Sequence, residues 1–173
     1  EKGYFNRIFV NTSGTWQGEV LPSASAEVTC VTHANSSNKG FIAVGSDGSG
    51  HARIWRRDTA AAGSGTWSLV LSSSVAGTGL NDIAYGRSDS NCAVAVGDSS
   101  QVWFTSDDGA TWVQRPSVHA EPGGYGVNIE HICAGYLAGR HIYYIYFQQS
   151  GIGYVGVSLN LGGCFYGRGA RSY

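Results

Sequence analysis

The phrase Phe41-Ile-Ala-Val-Gly45 returns as Ala93-Val-Ala-Val-Gly97. A turn bearing Asp and Ser follows each copy, then Ile54-Trp55 in one case and Val102-Trp103 in the other. Each copy then reaches Gly65-Thr66-Trp67 or Gly109-Ala110-Thr111-Trp112. A repeat on this scale constrains the fold more than any other feature, because such a unit buries its apolar face only against its neighbours. Taking the closing aromatic as landmark gives Trp16, Trp67, Trp112 and Phe165, separated by 51, 45 and 53 residues.

That spacing is the period of a propeller blade. Ahead of each landmark runs a short alternating segment: Arg7-Ile-Phe, Arg53-Ile-Trp, Gln101-Val-Trp and Tyr154-Val-Gly. Alternation over four to eight residues predicts strands. No window carries apolar residues at helical spacing between a cap and a terminating Gly, whereas Val, Ile, Tyr and Trp runs punctuated by Gly and Asn recur throughout. The predicted fold is all-β, with blades of four antiparallel strands and about three and a half blades in the chain. A half-blade occupies 1–22 and full blades occupy 26–72, 79–116 and 125–169. The expected first strands are Val28–His33, Asn81–Gly86 and Glu130–Gly135. The expected second strands are Phe41–Gly45, Ala93–Gly97 and His141–Phe147.

Thr105-Ser-Asp107-Asp-Gly109-Ala-Thr111-Trp112 resembles the Asp-box, or BNR repeat, Ser/Thr-x-Asp-x-Gly-x-Thr-Trp, at every defined position. Ser158-Leu-Asn160-Leu-Gly162-Gly-Cys164-Phe165 looks like a decayed copy. Asp58 with Gly65-Thr66-Trp67 looks like a stretched one, and Ser13-Gly14-Thr15-Trp16 like a shortened one. The resemblance covers nearly the whole chain. It implies a β-propeller in which the motif closes the turn between the third and fourth strands: Asp107 receives turn amides, Gly109 supplies positive φ, and the Trp plugs the space between strands. In that family the boxes are structural, so Asp107 is expected to serve folding.

Eleven basic and twelve acidic residues give a net charge of -1, which removes the electrostatic case for nucleic acid or an anionic membrane. The longest apolar runs, Ala93–Gly97 and His141–Phe147, fall far short of the roughly 20 residues a membrane helix needs. The first residue is Glu1 and there is no Met, which reads as a processed chain or a piece of a longer one. Cys30, Cys92, Cys133 and Cys164 are too far apart for zinc-finger or redox spacing, leave three disulfide pairings open, and favour an oxidising compartment. The sequons Asn11-Thr12-Ser13 and Asn35-Ser36-Ser37 agree with a secreted surface. The expected location is extracellular, on a cell or virion surface, or else an organelle lumen.

Asp-box propellers include sialidases, whose chemistry needs three arginines on a substrate carboxylate, a Tyr paired with a Glu, and an Asp acid/base. Arg7, Arg53, Arg56, Arg57, Arg140, Tyr143, Tyr144, Glu130 and Asp82 supply the residue types but not the family's Arg-Ile-Pro element. No catalytic residue is therefore assigned. Asp82 reads as a strand-end turn residue, with a channel-facing carboxylate as the alternative. His119, Glu130, His131 and His141 fit no ligand spacing, Asp47-Gly-Ser-Gly50 lacks the further carboxylates of a calcium loop, and no nucleotide motif or nucleophile elbow is present. No metal or cofactor is expected.

In Arg140–Phe147, alternation sends Tyr144 and Tyr146 to one face and Tyr143, Ile145 and Phe147 to the other. With Arg56 and Arg57, Tyr144 and Tyr146 form the candidate binding surface. The expected function is a non-catalytic structural or binding module that contacts protein or carbohydrate. Its half-blade would be completed by other copies of the chain or by the remainder of a larger propeller. Leu80-Asn-Asp-Ile-Ala-Tyr-Gly followed by Ala-Val-Gly-Asp is also similar to propellers of photosystem assembly factors, which implies a membrane-protein partner and a basic patch, here Arg53, Arg56 and Arg57. A sialidase-like hydrolase is the third reading.

Overall fold

The structure, a computed structural model, describes residues 7–12, 14–22, 26–33, 40–58, 65–86, 91–115, 126–149, 151–158 and 166–169. Arg7–Thr12 (β1) and Thr15–Val20 (β2) form a hairpin. Sheet I contains Glu27–His33 (β3), Phe41–Ser46 (β4), Ala52–Arg57 (β5) and Trp67–Ser72 (β6). Sheet II contains Leu80–Tyr85 (β7), Ala93–Gly97 (β8), Val102–Thr105 (β9) and Val113–Gln114 (β10). Sheet III contains Ile129–Leu137 (β11), Arg140–Gln149 (β12), Ile152–Ser158 (β13) and Tyr166–Gly169 (β14). Each sheet pairs its strands antiparallel in chain order, so the described chain is all-β apart from a 3-10 turn at Asp98–Ser100.

The repeated phrase has a physical cause in the first strand of each sheet. β3, β7 and β11 all carry one extra residue at the same place, Thr29, Asn81 and Glu130. Such bulges bend a strand and re-aim its side chains. Opposite the first two bulges lie Gly45 and Gly97, the glycines that end the two copies. A Cβ on Gly45 would overlap the Glu27 carbonyl oxygen, and one on Gly97 would overlap that of Gly79. The glycine thus lets the bulged backbone close onto the second strand.

The bulged residues also join the sheets. Thr29 Oγ1 donates to the Leu80 carbonyl at 2.7 Å, and Asn81 Nδ2 donates to the Ile129 carbonyl at 3.0 Å. Each bond runs from a bulge to the residue just before the next bulge. Backbones of neighbouring sheets approach through their first and second strands, β7 against β3 and β4, and β11 against β7 and β8.

Three apolar layers fill the spaces between these elements. Ile8 and Leu21 of the hairpin segment pack with Ala43, Trp55 and Trp67; Ile42, Val44 and Ile54 pack with Leu80, Ile83 and Tyr85; Val94, Val96 and Phe104 pack with Ile129, Ile145 and Phe147. Burying each such side chain is worth about 1.5–3 kcal/mol. Alternation along β4 and β8 gives both faces to apolar residues, because each of these sheets lies between two others.

One landmark departs from expectation. Trp67 is buried, but Trp16 is 67% exposed. Trp16 pairs with Asn11 on the face that carries Phe9, opposite the face through which Ile8 reaches sheet I. No sheet lies over that outer face among the described residues, so this Trp plugs no space between described strands.

Candidate functional site

In the turn from β9 to β10, Asp107 collects donors. The Thr111 amide and hydroxyl bond its carboxylate at 2.9 and 2.6 Å, and the Thr105 hydroxyl at 2.7 Å. Thr105 Oγ1 in turn accepts the Gly109 amide at 2.9 Å, while Trp112 Nε1 donates to the Gly109 carbonyl at 3.1 Å. Asp108 and Gly109 sit at φ +57° and +79°, a pair of left-handed residues that Asp tolerates and Gly favours. Burial raises the Asp107 pKa, but the bonds from Thr111 and Thr105 outweigh it and hold the group below the ordinary carboxylate value. Ser158 is buried, whereas Asn160, Gly162, Cys164 and Phe165 lie outside the described residues.

The equivalent turn in sheet I uses Asp58, whose Oδ1 accepts the Thr66 amide at 3.0 Å. A Cβ on Gly65 would run into the Arg57 guanidinium, so this glycine makes room for the buried cation. The Asp47 turn is closed by protein donors too. Its carboxylate accepts the Ser49 and His51 amides at 2.9 and 3.1 Å, the His51 ring, and Arg53 Nη2. Burial opposes the charge, yet the His51 and Ser49 bonds and the Arg53 guanidinium bring Asp47 to about 2.

Both aspartates are depressed in the folded chain, Asp47 to about 2, so the unfolded state binds more protons as pH falls below about 4. The stability they contribute is present above about pH 4 and is lost as pH falls through the folded values. Urea midpoints measured from pH 5 to pH 2 are expected to decline, and the double variant Asp47→Asn/Asp107→Asn is expected to lower the plateau and flatten that decline. An unchanged slope in the double variant would contradict the assignment.

The run of arginines on β5 is not a basic surface. Arg57 is 0% exposed and forks onto Glu19, with Nε to Oε2 at 2.7 Å and Nη2 to Oε1 at 2.6 Å. Arg53 is held by Asp47 and the Ser73 carbonyl, and Arg56 Nε donates to the Asp108 carbonyl at 2.9 Å. Of the candidate surface read from the sequence, Arg57 is therefore interior, and Arg56 joins sheet I to the sheet II turn. Alternation on β5 sends Arg56 to the face opposite Arg53 and Arg57, which the sequence reading overlooked. Glu19 also accepts Trp67 Nε1 at 2.7 Å. Nothing in its local sequence marks it as the partner of a residue 38 positions away.

The three inner strands place Cys30, Asp82 and His131 at matching positions just after their bulges. Asp82 lies within β7 rather than in a strand-end turn. Its Oδ2 accepts the Ile132 amide of β11 at 2.9 Å and stands 3.6 Å from His131 Nδ1. Burial, with Asp82 beside it, pushes the Cys30 thiol up to about 11, so it stays protonated and un-nucleophilic at neutral pH. Cys30 and Cys133 carry free thiols, and Cys164 lies outside the described residues. Among the described residues no three His, Cys, Asp or Glu side chains converge as a metal set; His119 lies outside them. No helix among the described residues is long and apolar enough to cross a membrane.

On β12, Tyr143, Ile145 and Phe147 are buried against sheet II, while Tyr144 and Tyr146 face away from it. Tyr144 is 39% and Val155 45% exposed, and with His131, Cys133 and Tyr146 they line an apolar depression of about 210 Å³. At the other end, a groove of about 530 Å³ runs beside the hairpin, lined by Arg7, Phe9, Asn11, Trp16, Val31 and Phe41. These two surfaces are the candidate sites.

The geometry defines an all-β chain of antiparallel sheets packed in series, with exposed apolar side chains on the hairpin and on sheet III that no other described residue covers. No protein-family model matches the chain, and no curated protein matches it.

Proposed function

We propose that this chain is a segment of an Asp-box β-propeller and acts as a non-catalytic structural module of an extracellular, cell-surface or virion-surface assembly, with protein as its partner. The observation that carries this reading is the pair of end faces that no other described residue covers. Phe9, Trp16 and Val20 at one end and Tyr144 and Val155 at the other are exposed, whereas Ile42, Val44, Ile54, Leu80, Val94 and Val96 between them are buried against neighbouring sheets. Stacked repeats end in polar caps when they end in water. Apolar ends fit a stack that continues in other protein. The Asp107 turn and the approach of sheets through their first strands support the propeller geometry.

Arg53, Arg56 and Arg57 are each engaged by acceptors of the chain itself, which counts against a three-arginine substrate clamp and against a basic docking patch for a membrane complex. A second binding mode is favoured by one feature, the groove beside the hairpin, where Trp16, Phe9 and Phe41 offer ring faces and Arg7 and Asn11 offer polar groups suited to a sugar. The protein assayed with a fluorogenic sialoside and then on a glycan array is expected to release no fluorophore. Turnover lost on Tyr143→Phe would overturn the non-catalytic reading. Glycan binding abolished by Trp16→Ala would move the assignment from protein to carbohydrate.

A further inference from the structure

We draw no further inference here: the strongest candidate, the uncharged outer edge of sheet I along Trp67–Ser72 (β6), is interrupted by a bulge at Val70, and nothing in the structure shows what covers it.

Discussion

Replacing Glu19 by alanine is expected to destabilise the chain by about 3–5 kcal/mol, the usual cost of removing one partner of a buried ion pair. Arg57 is 0% exposed, and Glu19 receives both its Nε and Nη2 as well as the Trp67 indole N–H. Truncation takes away the bidentate carboxylate and leaves Arg57 and Trp67 to find other acceptors inside the packed layer formed by Ala43, Trp55 and Trp67. The hairpin should loosen first, because Glu19 is its polar tie to sheet I, beside the apolar contact that Ile8 and Leu21 add among the described residues. Urea unfolding followed by Trp fluorescence checks this. Glu19→Gln should recover part of the loss, since the amide oxygen still accepts from one donor. A change below about 1 kcal/mol, the range of surface ion pairs, would mean that the pair is solvated.

The second large effect is expected from Gly97→Ala. The added Cβ overlaps the Gly79 carbonyl oxygen, with the Leu80 Cα close behind, so only movement of backbone can relieve it. Overpacking of this kind costs typically 1–3 kcal/mol, and a backbone obstacle places this variant at about 3. The strain falls where Leu80 accepts from Thr29, so the join between sheets I and II should weaken with it. Gly139→Ala serves as the contrast. Unlike the extended Gly97, it has positive φ, and nothing lies near its would-be Cβ, so its loss should stay near 1 kcal/mol. Thermal midpoints of the two variants decide the matter, and a Gly97→Ala loss no larger than that of Gly139→Ala would show that the close backbone approach at the bulge does not set the need for glycine.

Much of the fold was legible because each strand reports itself locally. Ala93–Gly97 was delimited as observed, and the other first and second strands shift by no more than two residues at an end. Alternation also divided Tyr143 from Tyr144 correctly. What stayed hidden depends on partners distant in sequence. Periodicity does not say that Arg57 turns inward to Glu19, or that Thr29 and Asn81 stand in bulges and reach the next strand. Asp82 looked like a turn residue because Leu80-Asn-Asp resembles the start of one, and only the placement of β11 gives its carboxylate an amide to hold. Trp16 matches the closing motif in sequence, but its exposure depends on what lies over the hairpin, and no other described residue does.

The central claim is that the sheets pack in series through their bulged first strands. At 18.2 kDa the labelled chain suits solution NMR, and nuclear Overhauser contacts across those strands test it most directly. The account predicts cross-peaks from the Thr29 side chain to Leu80, from Asn81 to Ile129, and from the Ile132 amide to Asp82. Their absence, with contacts instead between the last strands β6 and β10, would contradict it.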